Sequence, residues 1–218
     1  MFSILEMFKI GVGPSSSHTV GPMVAACKFV ESLEHTGTLG RVSRVRTVLY
    51  GSLALTGLGH GTDRATVAGL EGNMPQTVDT DHVNIIRHEC ESSGELLLAG
   101  KHRIDFDYAH DVAMDVWHRL AAHPNGMRFQ AFDQQNNLVD EQVWYSIGGG
   151  FVRKGAPEDP MIGIHERPPE GASFADADES SSTDFGVEAP YPFSSCTELV
   201  SLCREHHLSI AELVWANE

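Results

Sequence analysis

Long apolar runs and disulfide-type cysteine patterns are missing from the sequence. A membrane-spanning helix needs about 20 consecutive apolar residues, and no run among the 218 residues approaches that length. The four cysteines form no CxxC pair, and no basic stretch precedes an apolar core at the N-terminus. Neither a disulfide framework nor a secretory signal is therefore indicated, and we expect a soluble, cytoplasmic protein.

Basic residues are also scarce. Lysine and arginine total 15 against 30 aspartate and glutamate residues, which gives a formal net charge of −15. Proteins that bind nucleic acids usually carry a basic stripe, whereas the densest basic cluster here is Arg41, Arg44 and Arg46. We expect Arg44 and Arg46 on the solvent side of a strand, and we expect neither a nucleic acid nor a membrane as a partner.

Metal-binding spacings are missing as well. The 12 histidines form no HxxxH or HExxH pattern, which disfavours a zinc enzyme. Cys196 and Cys203 would share one face of a helix, but roughly 10 Å of helix axis would separate them. One metal ion could not bind both, so we expect two buried thiols.

The apolar periodicity predicts an α+β fold. Apolar residues from Met23 to Leu33 recur at spacings of three and four, which is typical of an amphipathic helix that Ser17 or Thr19 could cap. Further helices are predicted over 63–72, with Asp63 as the cap, and over 81–90. Strands are predicted over 44–54, 95–98, 103–107, 127–132 and 138–147, while 108–123 is ambiguous with a helix possible. This order indicates a mixed, largely antiparallel sheet with helices packed on it.

The last third of the sequence changes character. Residues 154–190 are rich in proline and contain the acidic, serine-rich run 176–184, so we predict a mobile surface insertion. Ser195 with Glu198, and Ser209 with Glu212, form capping boxes that predict two short helices. The second helix would end on an acidic residue, which opposes the helix dipole, and we expect a longer protein to continue beyond it. We assign 1–193 to a first domain and 194–218 to the helical start of a connection to a further domain.

Three hydroxyls and a histidine crowd the segment Ser15-Ser16-Ser17-His18-Thr19. A glycine and a proline set a bend ahead of it, and the helix predicted to follow offers free backbone N–H groups and a partial positive charge. This arrangement suits a carboxylate or a phosphate, although a simple capped loop explains the residues equally well. A P-loop is excluded because the lysine of GxxxxGK[ST] is missing.

A second glycine-rich segment, 57–63, is predicted as a loop between a strand and a helix. Thr62 stands where a dinucleotide fingerprint needs its third glycine, which excludes that motif. His60 lies between two glycines that leave its imidazole accessible, and a pKa of about 6.5 suits proton transfer near neutral pH. From these residues alone, a surface histidine in a turn is the simpler interpretation. The triple glycine 148–150 is predicted to serve packing or a turn.

Four separated segments resemble the iron–sulfur L-serine dehydratases and follow one another in the order of that family. They are residues 7–23 (MFKIGVGPSSSHTVGPM), 50–63 (YGSLALTGLGHGTD), 145–151 (YSIGGGF) and 190–193 (PYPF). The resemblance spans about the first 193 residues and implies the N-terminal β domain of such an enzyme. The fold that it implies is similar to the allosteric substrate-binding domain of phosphoglycerate dehydrogenases.

The resemblance implies a lyase of serine catabolism and gluconeogenesis that eliminates water from L-serine to give pyruvate and ammonia. A [4Fe–4S] cluster, held by a C-terminal α domain or a separate α chain, would act as the Lewis acid. The cluster ligands are absent from this sequence, and no pyridoxal phosphate is implied. The complete enzyme is expected to be a homodimer, and this chain is expected to be inactive alone.

By the same resemblance, Ser15, Ser16, Ser17, His18 and Thr19 would hold the substrate, its carboxylate above all. His60 would be the base that removes the Cα proton, and Thr62 would orient His60 or the substrate. The competing hypothesis is a non-catalytic regulatory module that binds a small amino acid. His60 separates the two hypotheses, because a binding module does not need an exposed base.

Overall fold

The computed structural model describes residues 10–169, 189–193 and 195–217. By their contacts, the described residues group into two compact units, a first of 10–169 and a second within 189–217. Within the described ranges, no helix is both long enough and apolar enough to cross a bilayer.

Within residues 10–169, the first unit has five α-helices and nine strands. Its helices are α1 (Gly21–His35), α2 (Ser52–His60), α3 (Thr62–Leu70), α4 (Thr80–Ser93) and α5 (Tyr108–Asp111). Its strands are β1 (Arg44–Tyr50), β2 (Glu95–Leu98), β3 (His102–Asp105), β4 (Val112–Asp115), β5 (His118–Leu120), β6 (Gly126–Phe132), β7 (Leu138–Gly148), β8 (Phe151–Gly155) and β9 (Met161–Gly163).

The main sheet has five strands in the order β4-β1-β6-β7-β8. The β1–β4 pair is parallel, and the other three pairs are antiparallel. The predicted α+β class, with a mixed and largely antiparallel sheet, is therefore confirmed. The ends of β1, β4 and β7 and the start of β6 lie together, along the side of the sheet where these strands terminate. We call this row of strand ends the site edge.

Alternate residues of β1 face opposite sides of the sheet, as a strand requires. Val45 and Leu49 belong to the main core, which the helices complete, and Thr47 is buried on the same face of the strand. Val48 and Tyr50 pack on the other side in a smaller cluster, whose further members are Leu120, Val143 and Tyr145. Both faces of this strand are thus covered near the site edge.

Helix α1 packs along the sheet and against α3. The ring of Phe29 stacks on that of Phe129 in β6, with ring centroids 5.3 Å apart. The contact with α3 is close because Gly69 has no side chain: a Cβ there would lie 2.8 Å from the Cβ of Ala26 and would overlap the carbonyl oxygen of Met23. This glycine therefore sets the distance between the two helices.

The strand predicted over 44–54 ends earlier, at Tyr50, and the loop predicted over 57–63 is a helix end. Gly51 has a φ of +54°, and a Cβ there would lie 2.5 Å from the carbonyl oxygen of Pro124. The chain turns at this glycine, and α2 begins at once. The apolar residues Leu53 and Ala54 extended the strand pattern, but they pack inward from a helix. A left-handed Gly61 separates α2 from α3.

One open prediction is resolved and another needs correction. The ambiguous segment 108–123 contains one helical turn, α5, followed by the strands β4 and β5. The predicted insertion 154–190 is ordered at its start, because β8 reaches Gly155 and β9 pairs with β5. Residues 170–188, which include the acidic run, lie outside the described residues.

Other predictions are confirmed. The hairpin β2–β3, the helix α4 and the strand pair β6–β7 lie where the sequence predicts them. The triple glycine forms the turn between β7 and β8, with φ values of +101°, +60° and +79°. The exposed positions of Arg44 and Arg46 are also confirmed, and Arg44 forms an ion pair with Asp111 at 2.6 Å.

The second unit contains α6 (Cys196–Glu205) and α7 (Ile210–Asn217). Both predicted caps form: the N–H of Glu198 donates to Ser195 Oγ, and the N–H of Glu212 donates to Ser209 Oγ, each at 3.2 Å. Cys203 is buried as predicted, but Cys196 is exposed, so the prediction of two buried thiols is wrong for Cys196. The domain boundary at 193 stays a prediction.

Candidate functional site

The serine-rich segment folds into a π-helical turn, Ser16–Val20, that runs directly into α1. Ser15 caps this turn, since its Oγ accepts the N–H of His18 at 3.2 Å. The predicted caps, Ser17 and Thr19, are wrong because the helical path begins before them. Such wide turns are rare and frequently lie at functional sites.

Both ring nitrogens of His18 are hydrogen-bonded to serine hydroxyls. Nδ1 lies 2.9 Å from Ser17 Oγ, and Nε2 lies 2.9 Å from Ser52 Oγ. Partial burial lowers the pKa of His18 below its usual value, the nearby His60 lowers it further, and the hydrogen bond with Ser52 opposes this shift. A neutral imidazole donates from one nitrogen and accepts at the other, so His18 forms a neutral link between the two hydroxyls.

His60 is the last residue of α2, and its Nδ1 lies 2.9 Å from the carbonyl oxygen of Thr56. A carbonyl oxygen can only accept, so Nδ1 carries the proton. In the neutral ring, Nε2 then has a free lone pair, and within the described residues no hydrogen bond reaches it. The prediction of a histidine in a loop is wrong, but the helix end leaves the ring partly exposed and able to accept a proton.

The structure brings the two predicted segments together. The rings of His18 and His60 lie 5.1 Å apart, centroid to centroid, and are inclined at 38°. Buried Thr19 donates its hydroxyl to the carbonyl oxygen of His60 at 2.9 Å, which ties the end of α2 to the π-helical turn. We call Ser17, His18, Ser52 and His60 the two-histidine cluster.

The predicted site residues Ser15, Ser16 and Thr62 lie in three different environments. Ser15 lies 3.4 Å from Ser17, hydroxyl to hydroxyl, while Ser16 is exposed to solvent. Thr62 is fully buried, and its hydroxyl has no hydrogen-bond partner among the described residues. It lies under α2 beside Gly57, so the structure does not bring it to the surface of the cluster.

Two serines that the sequence reasoning did not select complete the arrangement. Ser52 binds His18 directly, and buried Ser146 donates its hydroxyl to the carbonyl oxygen of Ser17 at 2.7 Å. Asn125 holds Ser146 in turn through two hydrogen bonds, of 3.0 and 3.1 Å. The sequence carried a signal for both serines, because each lies near the end of a predicted strand and inside a segment that resembles the family.

The residues present do not fit an iron–sulfur cluster. Within 10–169, 189–193 and 195–217, no three His, Cys, Asp or Glu side chains are grouped so that they could hold a metal ion. Cys27 and Cys90 are buried, and burial raises the pKa of each thiol to about 12, which disfavours the thiolate that binds metals.

Comparison with known proteins identifies the family to which the chain belongs. A family model described as serine dehydratase beta chain matches residues 3–156, which is more than half of the chain. The chain belongs to this serine dehydratase family. The matched range runs as far as β8 and contains every residue of the two-histidine cluster, so the predicted resemblance is confirmed.

Several relatives in the family are named L-serine dehydratases. The protein of Helicobacter pylori strain 26695 is 42% identical over 217 residues, and L-serine dehydratase 1 of Escherichia coli K12 is 40% identical over 219. The Streptomyces coelicolor protein is 40% identical over 216 residues. These matches cover 99–100% of this chain but 43% of each relative. The chain therefore spans less than half the length of the relatives it matches.

Two partly buried histidines of this chain, His18 and His123, predict a loss of stability in mild acid. Burial lowers the pKa of His123, and its Nδ1 accepts the N–H of Asn125 at 3.1 Å, which needs a neutral ring. The pKa of His18 is lowered too. In the unfolded chain both histidines bind protons near pH 6.5, so the unfolded state takes up more protons below that pH. Stability is therefore fully present above about pH 6.5 and falls as the pH drops below it.

Urea denaturation of the chain at pH 8.0, 7.0, 6.0 and 5.5 checks this prediction. We expect a flat midpoint between the first two values and a fall below pH 6.5, and we expect His123→Gln to make the fall shallower. His35→Gln, at an exposed position on α1, is the control and should keep the wild-type profile. Identical profiles for the wild type and His123→Gln would contradict the role of His123.

Proposed function

We propose that this chain is the β domain of an enzyme that eliminates water from L-serine to give pyruvate and ammonia. Family membership and the names of the relatives support this reaction. The observation that carries the proposal is the free Nε2 lone pair of His60 beside a neutral, fully hydrogen-bonded His18. A base and a set of hydroxyl groups thus lie within one small region.

His60 is the proposed base. Elimination begins with the removal of the proton on Cα, and a positioned imidazole is the side chain that most often does this near neutral pH. The Thr56 carbonyl holds the proton on Nδ1, which directs the lone pair of Nε2 outward. Thr19 fixes the backbone of the same residue, and we propose Thr19 as a positioning residue instead of a substrate ligand.

The π-helical turn is the proposed carboxylate site. Its first backbone N–H groups and the hydroxyls of Ser15, Ser16 and Ser17 can donate to an anion, and the positive end of the helix dipole favours negative charge there. Both nitrogens of His18 are already engaged, so we propose that His18 orients Ser17 and Ser52 for the substrate. Thr62 would reach the substrate only after α2 moves, and its orienting role stays a prediction.

We propose that the part of the enzyme outside this chain supplies the [4Fe–4S] cluster, as a C-terminal α domain or an α chain. When bound, the cluster would polarise the serine hydroxyl as a Lewis acid. The residues of this chain bind and orient the substrate and move the Cα proton, and the chain alone is inactive. We further propose that the enzyme is a cytoplasmic homodimer. The fold of this chain is proposed to be similar to the allosteric substrate-binding domain of phosphoglycerate dehydrogenases.

Co-expression of this chain with the α part, followed by oxygen-free purification and a pyruvate assay with L-serine, tests the proposed function. We expect serine-dependent pyruvate and a visible absorbance that disappears in air, with neither from this chain alone. An assembled complex that binds L-serine without forming pyruvate would overturn the proposal in favour of a regulatory amino-acid-binding module.

A further inference from the structure

Helix α2 has an unusual surface. Its nine residues include no aspartate, glutamate, lysine or arginine, although six of them are exposed or partly exposed and the sequence as a whole is 21% charged. Leu55 and Leu58 are 57% and 63% exposed. A helix on the surface of a globular protein normally places charged or polar residues toward solvent, and larger exposed apolar surfaces mark interaction sites.

This apolar face borders the two-histidine cluster. At about 100° per residue, Ser52, Thr56 and His60 form one stripe along α2, which faces the π-helical turn. Leu55 and Leu58 form the neighbouring exposed stripe, and Gly59 lies between the stripes. We call the stripe of Leu55 and Leu58 the α2 apolar face.

Other exposed apolar side chains lie at the site edge of the sheet, where α2 begins. Trp117, two residues beyond β4, is 75% exposed, and Ile147 near the end of β7 is also exposed. Their strands end at the same edge as β1, because β1 pairs in parallel with β4 and β6 lies antiparallel to both β1 and β7. Exposed apolar side chains therefore lie on α2 and also at the edge of the sheet where α2 begins.

We propose that the α2 apolar face is the surface on which the remaining part of the enzyme docks. The inference rests on the proposed function and specifies its partner surface. More than half of each relative lies outside the region matched by this chain, which provides an occupant of sufficient size. Docking there would cover Leu55 and Leu58 and would exclude water from His60, which strengthens the electrostatic interactions of a reacting substrate.

The charge beside this face adds a requirement for the partner. A cleft of about 420 Å³ lies next to Leu58, and its charged lining residues are Arg64, Arg87, Asp63 and Glu91. Arg64 donates to Asn84 Oδ1 at 3.4 Å, and no carboxylate of the described residues pairs with it. A guanidinium that is covered without a partner is costly, so a partner that covers Arg64 would have to place a hydrogen-bond acceptor opposite it.

Cysteine labelling of the complete enzyme under anaerobic conditions tests the docking surface. Leu58→Cys and, as the matched control, Leu138→Cys are treated with a maleimide, and each peptide is quantified by mass spectrometry. Leu138 is 53% exposed and lies at the opposite edge of the sheet, where β7 begins. In this chain alone, we expect similar rates at both positions. In the complete enzyme, we expect position 58 to react at least tenfold more slowly than position 138.

Two outcomes would overturn the inference. Equal rates at positions 58 and 138 in the complete enzyme would leave the face open to solvent. Protection of position 58 in this chain alone that disappears on dilution would show that a second copy of the chain covers it. Leu55→Cys provides a second reporter on the same face. Labelling does not depend on turnover, so the two proposals can fail separately. Pyruvate formation without protection of position 58 would contradict the docking surface alone. Protection without pyruvate formation would contradict the proposed function alone.

Discussion

Replacement of His60 by alanine in the complete enzyme is expected to lower kcat by about 10²–10⁴-fold, the usual contribution of a general base. The variant should fold normally, because the His60 ring lies at the surface end of α2 and its Nδ1 bonds only to the Thr56 carbonyl of its own helix. The KM for L-serine should change much less than kcat, since the proposed carboxylate site lies on the π-helical turn. Steady-state pyruvate formation measures both constants.

His35→Ala is a closely matched control for this experiment. His35 is the last residue of α1, and its Nδ1 lies 2.9 Å from the carbonyl oxygen of Glu31. It thus repeats the helix-end geometry of His60 at a position away from the two-histidine cluster. We expect wild-type kcat from His35→Ala. Near-normal kcat from His60→Ala would remove His60 from the role of base, and loss of the visible absorbance of the proposed iron–sulfur cluster in that variant would point to a structural effect instead.

Replacement of Gly69 by alanine is expected to destabilise the first unit by about 3 kcal/mol, toward the upper end of the cost of overpacking a core. The new Cβ would overlap the main-chain oxygen of Met23 and lie 2.8 Å from Ala26 Cβ. Both obstacles belong to α1, so neither can move away by a simple side-chain rotation. The shift would also displace the π-helical turn, which is continuous with α1.

Gly59→Ala is the control for this second experiment. Gly59 lies within α2, and a Cβ there would meet nothing within 4 Å. Alanine replaces glycine in an unobstructed helix with a gain of roughly 0.5–1 kcal/mol. Urea denaturation of the chain should therefore show a lower midpoint for Gly69→Ala and an equal or higher midpoint for Gly59→Ala. Equal midpoints in the two variants would mean that α1 and α3 do not meet at Gly69.

Local patterns predicted the elements with strong signals, and non-local pairing produced the errors. Helix α4 and the pair β6–β7 were predicted because their periodicity and turn residues are encoded within each segment. Strand β4 was missed because it is short and pairs in parallel with β1, which precedes it by some 60 residues. The helix after Tyr50 was missed because the positive φ of Gly51 depends on the close approach of Pro124.

The candidate site also combines features that local sequence patterns indicate with features that only non-local contacts produce. The family segments selected the hydroxyl-rich turn and His60 as candidate site residues, and the structure brings these two segments into contact. The role of Ser52 depends on a hydrogen bond across 34 positions of sequence, and that of Ser146 on one across 129. Thr19 and Thr62 are hydroxyl residues with the same local appearance as the exposed serines, and only the fold reveals that both are buried.

The π-helical turn makes the length of the serine run as important as its chemistry. Val20 N–H reaches back to the carbonyl oxygen of Ser15 at 3.3 Å, and Gly21 N–H reaches back to that of Ser16, so this turn holds one residue more than an α-helical turn. Deleting one serine would let an ordinary α-helix form, and the residues ahead of the deletion would rotate by about 100° about the helix axis. Exchange of one small polar residue for another would therefore keep this geometry, whereas an insertion or deletion would change which side chains face Ser52 and His60.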